Sequence, residues 1–263
     1  MRFTVLIPAR YEATRLPGKP LREVGGKPLI SRVMERAVAS GADRVAVATD
    51  DDRVASAVRE RGGEAVLTRG DCSCGTDRLA EAAAILGLPD DEPVVNVQGD
   101  EPFMPPALVR QVVEAMEAEP VRDMATAAHS MGEWDQVLDP NAVKVVRDAS
   151  GDALYFSRAP VPWDRDRMHQ GADPETLGAG GPPSGFRLHV GIYAYRAGLL
   201  RAFAEWPPTE LERRECLEQL RALENGVVIR VVDTEQSPGM GVDTPDDLER
   251  ANQRWKTAGY PEA

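Results

Sequence analysis

The sequence predicts an α/β protein built on a mostly parallel β-sheet. Short apolar runs alternate with segments of helical periodicity through the first half of the chain. Strands and helices that alternate at this spacing are typical of βαβ crossovers, which join parallel strands. The rhythm changes after Met124, where several strand-like runs follow one another. We therefore expect a parallel α/β core that carries a smaller β-rich insertion.

The elements of the first half follow from their apolar patterns. Apolar runs predict strands at Thr4 to Ile7, Arg44 to Ala48, Glu64 to Leu67 and Val94 to Val97. Apolar residues at helical spacing predict helices over Leu29 to Val38, Asp51 to Arg61, Thr76 to Leu86 and Pro105 to Glu117. Thr76 is the expected cap of the third helix, because acidic residues fill the first turns after it.

The second half predicts strands at Met124 to Met131, Val143 to Val146, Ala153 to Phe156, Leu188 to Tyr195 and Val227 to Val232. Helices are expected at 198 to 204, 210 to 224 and 244 to 255, the last capped by Thr244 with Pro245 at its first position. Residues 159 to 185 are rich in Pro, Gly and charge and predict a long surface loop. We assign residues 1–128 and 196–263 to the core and residues 129–195 to the insertion.

Composition excludes several classes of protein. The chain has 263 residues, 42% of them hydrophobic, and a net charge of −12. Such an acidic chain has no broad basic face to displace counterions, so we expect no nucleic-acid partner. Three cysteines, Cys72, Cys74 and Cys216, are too few and too unevenly spaced for a disulfide framework.

We also expect no membrane partner and a cytoplasmic location. No apolar run approaches the roughly 20 residues that a membrane-spanning helix needs. The chain enters its first predicted strand at once, without the basic and apolar regions of a signal peptide.

The loop after the first strand is the strongest functional signal. It places Arg10, Arg15 and Lys19 just past the carboxyl end of an apolar strand, where open α/β sheets bind their ligands. Backbone N–H groups and cations at such a point are suited to a phosphate chain. Pro20 follows Lys19 where a Walker A motif has Ser or Thr, so the loop is not a P-loop. A rigid basic connector without a ligand is the alternative.

Two acidic positions could complete a metal site. Asp100 follows the strand that ends near Val97, and Asp243 precedes the last predicted helix. Carboxylates at these places can hold Mg²⁺ against a triphosphate. Each could also be ordinary turn or helix-start chemistry.

Five segments of the chain match a known family pattern in order. They are Pro8 to Arg10 with Arg15 to Leu21, Asn96 to Pro102, Tyr155 to Arg158, Pro162 to Arg167 and Gly241 to Pro245. Together they resemble the 3-deoxy-manno-octulosonate (Kdo) cytidylyltransferase family, the CMP-Kdo synthetases, and the resemblance runs from the first strand to about residue 250. It implies a Rossmann-like sheet of the nucleotide-diphospho-sugar transferase type.

The resemblance also implies a reaction and its residues. A Mg²⁺-dependent enzyme of this family transfers CMP from CTP to the anomeric hydroxyl of Kdo and releases pyrophosphate, for lipopolysaccharide biosynthesis. The catalytic residues would be Arg10, Lys19, Asp100 and Asp243, of which Asp100 and Asp243 would bind Mg²⁺. The nucleotide would contact Pro8, Ala9, Arg10, Arg15, Lys19, Cys74, Gly75, Arg78 and Gln98. The sugar would contact Arg158, His189, Tyr193, Glu218 and Gln219. A homodimer through the insertion is expected.

This chain departs from the family pattern at two positions. Cys74 and Asp77 stand where Ser and commonly Glu are expected, and a thiol is a poorer hydrogen-bond donor than a hydroxyl. The Gly/Pro-rich segment 171–185 is also particular to this chain and could alter sugar selectivity. The alternatives are therefore an enzyme that activates 8-amino-Kdo or an acylneuraminate, and a nucleotide or sugar sensor without catalysis. The presence of both Asp100 and Asp243 argues against a sensor.

Overall fold

The computed structural model describes residues 1–72, 74–118, 120–168, 177, 181–182, 185–236 and 239–257. Its strands are β1 (Thr4–Ala9), β2 (Glu23–Val24), β3 (Lys27–Pro28), β4 (Arg44–Thr49), β5 (Glu64–Leu67), β6 (Pro93–Asn96), β7 (Met124–Ser130), β8 (Lys144–Arg147), β9 (Ala153–Ser157), β10 (Arg187–Arg196) and β11 (Ile229–Asp233). Its helices are α1 (Leu29–Ala39), α2 (Asp52–Arg59), α3 (Gly75–Ile85), α4 (Pro106–Glu117), α5 (Trp134–Leu138), α6 (Arg165–Met168), α7 (Ala197–Glu205), α8 (Glu210–Glu215), α9 (Gln219–Glu224) and α10 (Pro245–Thr257).

The chain divides into two compact units. Unit 1 comprises Met1–Glu114, Ile192–Glu205 and Ser237–Ala263. In its main sheet the strands lie in the order β10, β6, β1, β4, β5, all parallel except β10, which runs antiparallel to β6. Strands β2 and β3 form a separate antiparallel pair. The predicted α/β fold with a mostly parallel sheet is confirmed.

The centre of unit 1 is β1, whose Val5, Leu6 and Ile7 are fully buried. A continuous apolar run of this kind is expected of a strand covered on both faces. The register pairs Leu6 with Asn96 on the neighbouring β6. The carboxyl ends of β1 and β6 therefore lie side by side, and the two polar loops that follow them begin next to each other.

Unit 2 comprises Ala115–Gly191 and Trp206–Gln236. Strands β7 and β11 pair in parallel, and β8 and β9 form an antiparallel hairpin. The predicted turn between β8 and β9 is confirmed by a hydrogen bond from Asp148 N to the Asp152 carbonyl at 2.8 Å. An apolar cluster that includes Trp134 and Phe186, with ring centroids 5.6 Å apart, packs within this unit.

Two predicted helices differ from the structure. The helix expected over 210 to 224 is two helices, α8 and α9, because Cys216 adopts the left-handed conformation, with φ 52° and ψ 48°. The N-cap of α3 is Cys74 instead of Thr76, so the helix begins two residues earlier than the acidic pattern indicated. Within the predicted loop 159–185, Arg165–Met168 forms the short helix α6, and residues 169–176, 178–180 and 183–184 lie outside the described residues.

None of the helices in the described part of the chain is both long and apolar enough to cross a bilayer.

Candidate active site

The loop after β1 has a fixed path. Gly18 has φ 69°, and a Cβ at this position would lie 3.2 Å from the Tyr11 hydroxyl. The Arg53 guanidinium lies over the Tyr11 ring, 3.5 Å from the ring centre, in a cation–π contact. Tyr11 thus packs against Gly18 and Arg53, and the turn at Gly18 leads into a short 3-10 helix, Lys19–Leu21.

The loop after β6 lies against the end of β1. Val97 N donates to the Leu6 carbonyl at 3.2 Å. A Cβ on Gly99 would come within 2.6 Å of the Pro8 carbonyl oxygen, closer than real Cβ atoms approach. Gly99 is therefore required for the two strand ends to meet, and it brings Asp100 next to the basic loop.

Lys19 joins the two predicted metal carboxylates. Its Nζ lies 2.7 Å from Asp100 Oδ2 and 3.1 Å from Asp243 Oδ1. Arg15 Nη2 lies 3.1 Å from the other Asp243 oxygen. Asp100 and Asp243, which lie 81 and 224 residues from Lys19 in the sequence, thus meet at one ammonium group.

The charge of Lys19 is secured by these contacts. Burial lowers the pKa of the Lys19 ammonium, but the Asp100 and Asp243 carboxylates outweigh it, so the pKa is raised above its ordinary value. The group is therefore a permanent cation at neutral pH, facing the same cavity as the two carboxylates.

Asp243 is held by the start of α10. Asp247 Oδ2 accepts hydrogen bonds from Asp243 N at 3.1 Å and Thr244 N at 2.9 Å, and Asp247 N donates to Thr244 Oγ1 at 3.2 Å. This reciprocal pattern confirms Thr244 as the helix cap. Burial raises the pKa of Asp247, but these bonds and Arg250 outweigh it and lower the pKa to about 2. Asp247 is ionised at neutral pH and fixes the backbone of Asp243.

The predicted nucleotide residues lie around one cavity of about 390 Å³ within unit 1. All nine of them line it: Pro8, Ala9, Arg10, Arg15, Lys19, Cys74, Gly75, Arg78 and Gln98. Asp100 and Asp243 line the same cavity, together with Ala13, Thr14, Pro20, Cys72 and Gly99. Of these additional residues, Ala13 and Thr14 could have been named from the sequence, because they belong to the same loop.

Arg78 is fixed in this wall. Its side chain is almost fully buried, and its guanidinium donates to Thr68 Oγ1 at 2.6 Å and Asp50 Oδ2 at 2.8 Å. Arg10, by contrast, is exposed and makes no ion pair with any of the described residues. Arg10 is therefore the freer cation of the cavity and Arg78 the more rigid one.

One acidic residue beside the site gave no signal in the sequence. Burial, with the nearby Asp100 charge, raises the pKa of Glu101 to about 8. Its Oε2 has no hydrogen-bond partner among the described residues. Glu101 is therefore largely protonated at neutral pH and adds little negative charge beside Asp100.

Four of the predicted sugar-binding residues lie in unit 2 and one, Tyr193, lies in unit 1. Tyr193 is buried and stacks on Tyr195 with ring centroids 5.7 Å apart. Arg158 donates to three backbone carbonyls of unit 2, at Pro140, Glu215 and Cys216. Glu218 and Gln219 stand at the start of α9.

His189 is a neutral ring. Its Nε2 lies 3.0 Å from Thr126 Oγ1, and its ring packs edge-on against Phe156. Burial lowers the pKa of His189 to about 3. It therefore carries no positive charge at neutral pH.

The carboxylates around Lys19 fit a divalent cation. Asp100 and Asp243 are hard oxygen donors held around one cationic group. No cluster of three or more His, Cys, Asp or Glu suited to a metal occurs in the part of the chain that the structure describes. Mg²⁺ is commonly held by one or two carboxylates, with substrate phosphates completing its shell, so a pair of aspartates meets its needs.

Comparison with known proteins gives a consistent result. A family model described as cytidylyltransferase matches residues 4–231. A 3-deoxy-manno-octulosonate cytidylyltransferase of Aliivibrio fischeri is 52% identical over 250 residues, covering 95% of this chain and 97% of the relative. One from Pseudomonas syringae pv. syringae is 52% identical over 251 residues with the same coverage.

A solved structure is also similar throughout. It is described as CMP:2-keto-3-deoxy-manno-octonic acid synthetase complexed with CTP, with a TM-score of 0.87 and 39% sequence identity. The match covers 98% of this chain and 100% of that one. The chain therefore belongs to the 3-deoxy-manno-octulosonate cytidylyltransferase family.

Proposed function

We propose that this chain transfers CMP from CTP to the anomeric hydroxyl of Kdo and releases pyrophosphate. The observation that carries the proposal is the single cavity in which Arg10, Arg15 and Lys19 face Asp100 and Asp243. That arrangement supplies cations for a triphosphate and two carboxylates for a metal. The relatives at 52% identity supply the nucleotide and the sugar by name.

The chain's own residues would act by positioning and by neutralising charge. Arg10 is exposed in the cavity and is the natural first partner for the phosphates. Lys19 is buried enough to keep a fixed position and remains charged, so it can accompany the negative charge that develops on the departing pyrophosphate. Gln98 and the α3 start at Cys74 and Gly75 would contact the base and ribose.

We propose that Asp100 and Asp243 hold Mg²⁺. When bound, the ion would supply Lewis-acid neutralisation of phosphate oxygens. The support for this proposal is the donor chemistry of the two aspartates and their convergence on Lys19.

On the sugar side, we propose that Arg158, His189, Tyr193, Glu218 and Gln219 bind Kdo. Among the described residues, three of the five N–H donors of Arg158 bond to backbone carbonyls, which leaves two for a sugar carboxylate. Neutral His189 suits a sugar hydroxyl. The remaining contacts would come from Tyr193, Glu218 and Gln219.

The cellular setting is also a proposal. We place the enzyme in the cytoplasm, in lipopolysaccharide biosynthesis, as a homodimer through residues 129–195. Exposed Leu154 and Trp163, at 63% and 54%, are large apolar side chains of unit 2 that a partner subunit could cover. Sedimentation equilibrium tests the dimer, and a monomer at micromolar concentration would contradict it.

Pyrophosphate release tests the reaction. Each of the four NTPs is combined with Mg²⁺ and with Kdo, 8-amino-Kdo or N-acetylneuraminate. The proposal predicts the highest kcat/KM for CTP with Kdo. Release only with another sugar would overturn the Kdo assignment, and no release with any pair would overturn the enzyme assignment.

A further inference from the structure

Glu215, at the end of α8, is bound by the strand β9. Its Oε1 accepts a hydrogen bond from Ser157 Oγ at 2.6 Å and a longer one from Tyr155 OH at 3.4 Å. Its Oε2 accepts from the backbone N–H of Arg158 at 2.9 Å. Both carboxylate oxygens are therefore occupied by donors from one strand and the residue that follows it.

Arg158 returns the contact. Its Nε donates to the Glu215 carbonyl at 2.6 Å, and its Nη1 donates to the Pro140 carbonyl at 2.9 Å. Lys144 Nζ, in turn, donates to the Arg158 carbonyl at 2.7 Å. The side chain of each of Glu215 and Arg158 thus bonds to the backbone of the other. The Arg158 backbone is held at its N–H by Glu215 and at its carbonyl by Lys144.

The chain after Glu215 turns sharply. Cys216 has φ 52°, a left-handed conformation that residues with a side chain rarely adopt. Leu217 N then donates to the Glu212 carbonyl at 3.3 Å, and Glu218 becomes the N-cap of α9. The direction in which Glu218 and Gln219 leave the turn therefore depends on where Glu215 is held.

We propose that Glu215 is a positioning residue for the acceptor sugar, an inference that rests on the proposed function. Glu215 holds Arg158 on one side and the turn to Glu218 and Gln219 on the other. One carboxylate therefore sets the relative placement of three of the proposed sugar-binding side chains. All of these contacts lie within unit 2.

The contacts explain why a carboxylate is needed at this position. Each of its two oxygens faces an N–H or O–H donor. A glutamine has the same shape but no charge, so its hydrogen bonds to Ser157 and Arg158 are no longer charge-assisted. Glu215→Gln therefore weakens these contacts without changing the volume of the side chain.

The test measures KM for each substrate separately in the full-length protein. Loss of this charge assistance, about 1.4 kcal/mol, corresponds to about a tenfold change in binding. We expect Glu215→Gln to raise KM for Kdo about tenfold and to leave KM for CTP unchanged, because the CTP cavity is lined by unit 1 residues.

Glu210→Gln is the matched control. Glu210 lies on the same helix, and Arg214 is its ion-pair partner on the protein surface. This variant should keep both KM values. If Glu215→Gln does not fold, Glu215→Asp provides the second reading, because it keeps the charge but draws the oxygens back by one methylene; it should also raise KM for Kdo.

The outcomes separate the two proposals. Wild-type protein that fails to release pyrophosphate with Kdo overturns the proposed function and this inference together. Wild-type protein that is active, with a Glu215→Gln variant that keeps the wild-type KM for Kdo, overturns the positioning role alone. A variant that only lowers the melting temperature, with both KM values unchanged, would show a structural role and would also overturn it.

Discussion

At the scale of single residues, Lys19 organises the candidate active site. Its ammonium group separates two carboxylates that would otherwise repel each other, at 2.7 Å from Asp100 and 3.1 Å from Asp243. The same cation would face the triphosphate when CTP binds. Lys19 therefore separates the two carboxylates in the free protein and would contact the triphosphate when substrate is bound.

Removal of the Lys19 charge should impair catalysis strongly. We expect Lys19→Met to lower kcat/KM for CTP by about 100-fold, the usual cost of one electrostatic contact to a developing charge. Steady-state pyrophosphate release measures the effect. Lys27→Met is the control, because Lys27 also forms an ion pair in unit 1, with Glu35 at 2.8 Å, but does not line the cavity. Equal activity of the two variants would contradict the role of Lys19.

His189 should make stability depend on pH. Its pKa is about 3 in the fold and near its ordinary value of 6.5 in the unfolded chain. The unfolded chain therefore binds more protons between these values, so this contribution to stability is complete above pH 6.5 and is lost as the pH falls toward 3.

Comparison with His189→Gln isolates this effect, since the carboxylates titrate alike in both proteins. From pH 7.5 to pH 5, wild type should lose about 2 kcal/mol of unfolding free energy relative to the variant, at 1.4 kcal/mol per unit below 6.5. Urea denaturation at the two pH values measures it. A difference that does not change with pH would show that His189 is not held neutral.

At the scale of elements, the start of α10 presents Asp243. Asp247 receives the backbone N–H groups of Asp243 and Thr244, so the helix cap and the carboxylate of the site are one structure. The sequence predicted this cap, because Thr244, Pro245 and two acids in the first turn form a recognisable pattern. It did not indicate that the cap fixes Asp243.

Asp247→Ala should therefore affect both stability and activity. We expect a loss of about 1 to 2 kcal/mol in unfolding free energy, as for other lost caps, together with a higher KM for CTP. Urea denaturation and initial rates measure the two effects. Asp246→Ala is the control, because Asp246 is an exposed acid in the same first turn. If both variants behave alike, the cap does not position Asp243.

Other elements show where the sequence pattern failed. Leu217 and Leu220 continue the helical spacing of residues 210 to 215, so a single helix was predicted. Helix α8 ends at the left-handed Cys216, whose carbonyl accepts a hydrogen bond from Arg158, 58 residues away in sequence. A contact of this length belongs to the folded chain and leaves no local signal.

At the scale of the whole molecule, the predicted α/β fold is confirmed by the parallel strands around β1. The alternation of apolar strands and amphipathic helices is a local property, so the sequence was sufficient for it. The meeting of Lys19 with Asp243, 224 residues away, is a consequence of the fold. Similarly, the buried state of Glu101 could not be read from its residue type.

The assignment of substrates depends on the whole chain. The first loop by itself indicates only a phosphate ligand. The nucleotide and the sugar are inferred from relatives that are 52% identical over 95% of the chain. In the proposed reaction both substrates are used in one transfer, CMP from CTP to Kdo.

The most direct test is ³¹P NMR of a mixture of the protein, CTP, Kdo and Mg²⁺. We expect the three CTP resonances to disappear together, replaced by one phosphodiester resonance and an equimolar amount of pyrophosphate. Omission of Kdo should leave CTP intact. Unchanged CTP in the complete mixture, or release of inorganic phosphate or CMP without the phosphodiester, would contradict the transfer of CMP to Kdo.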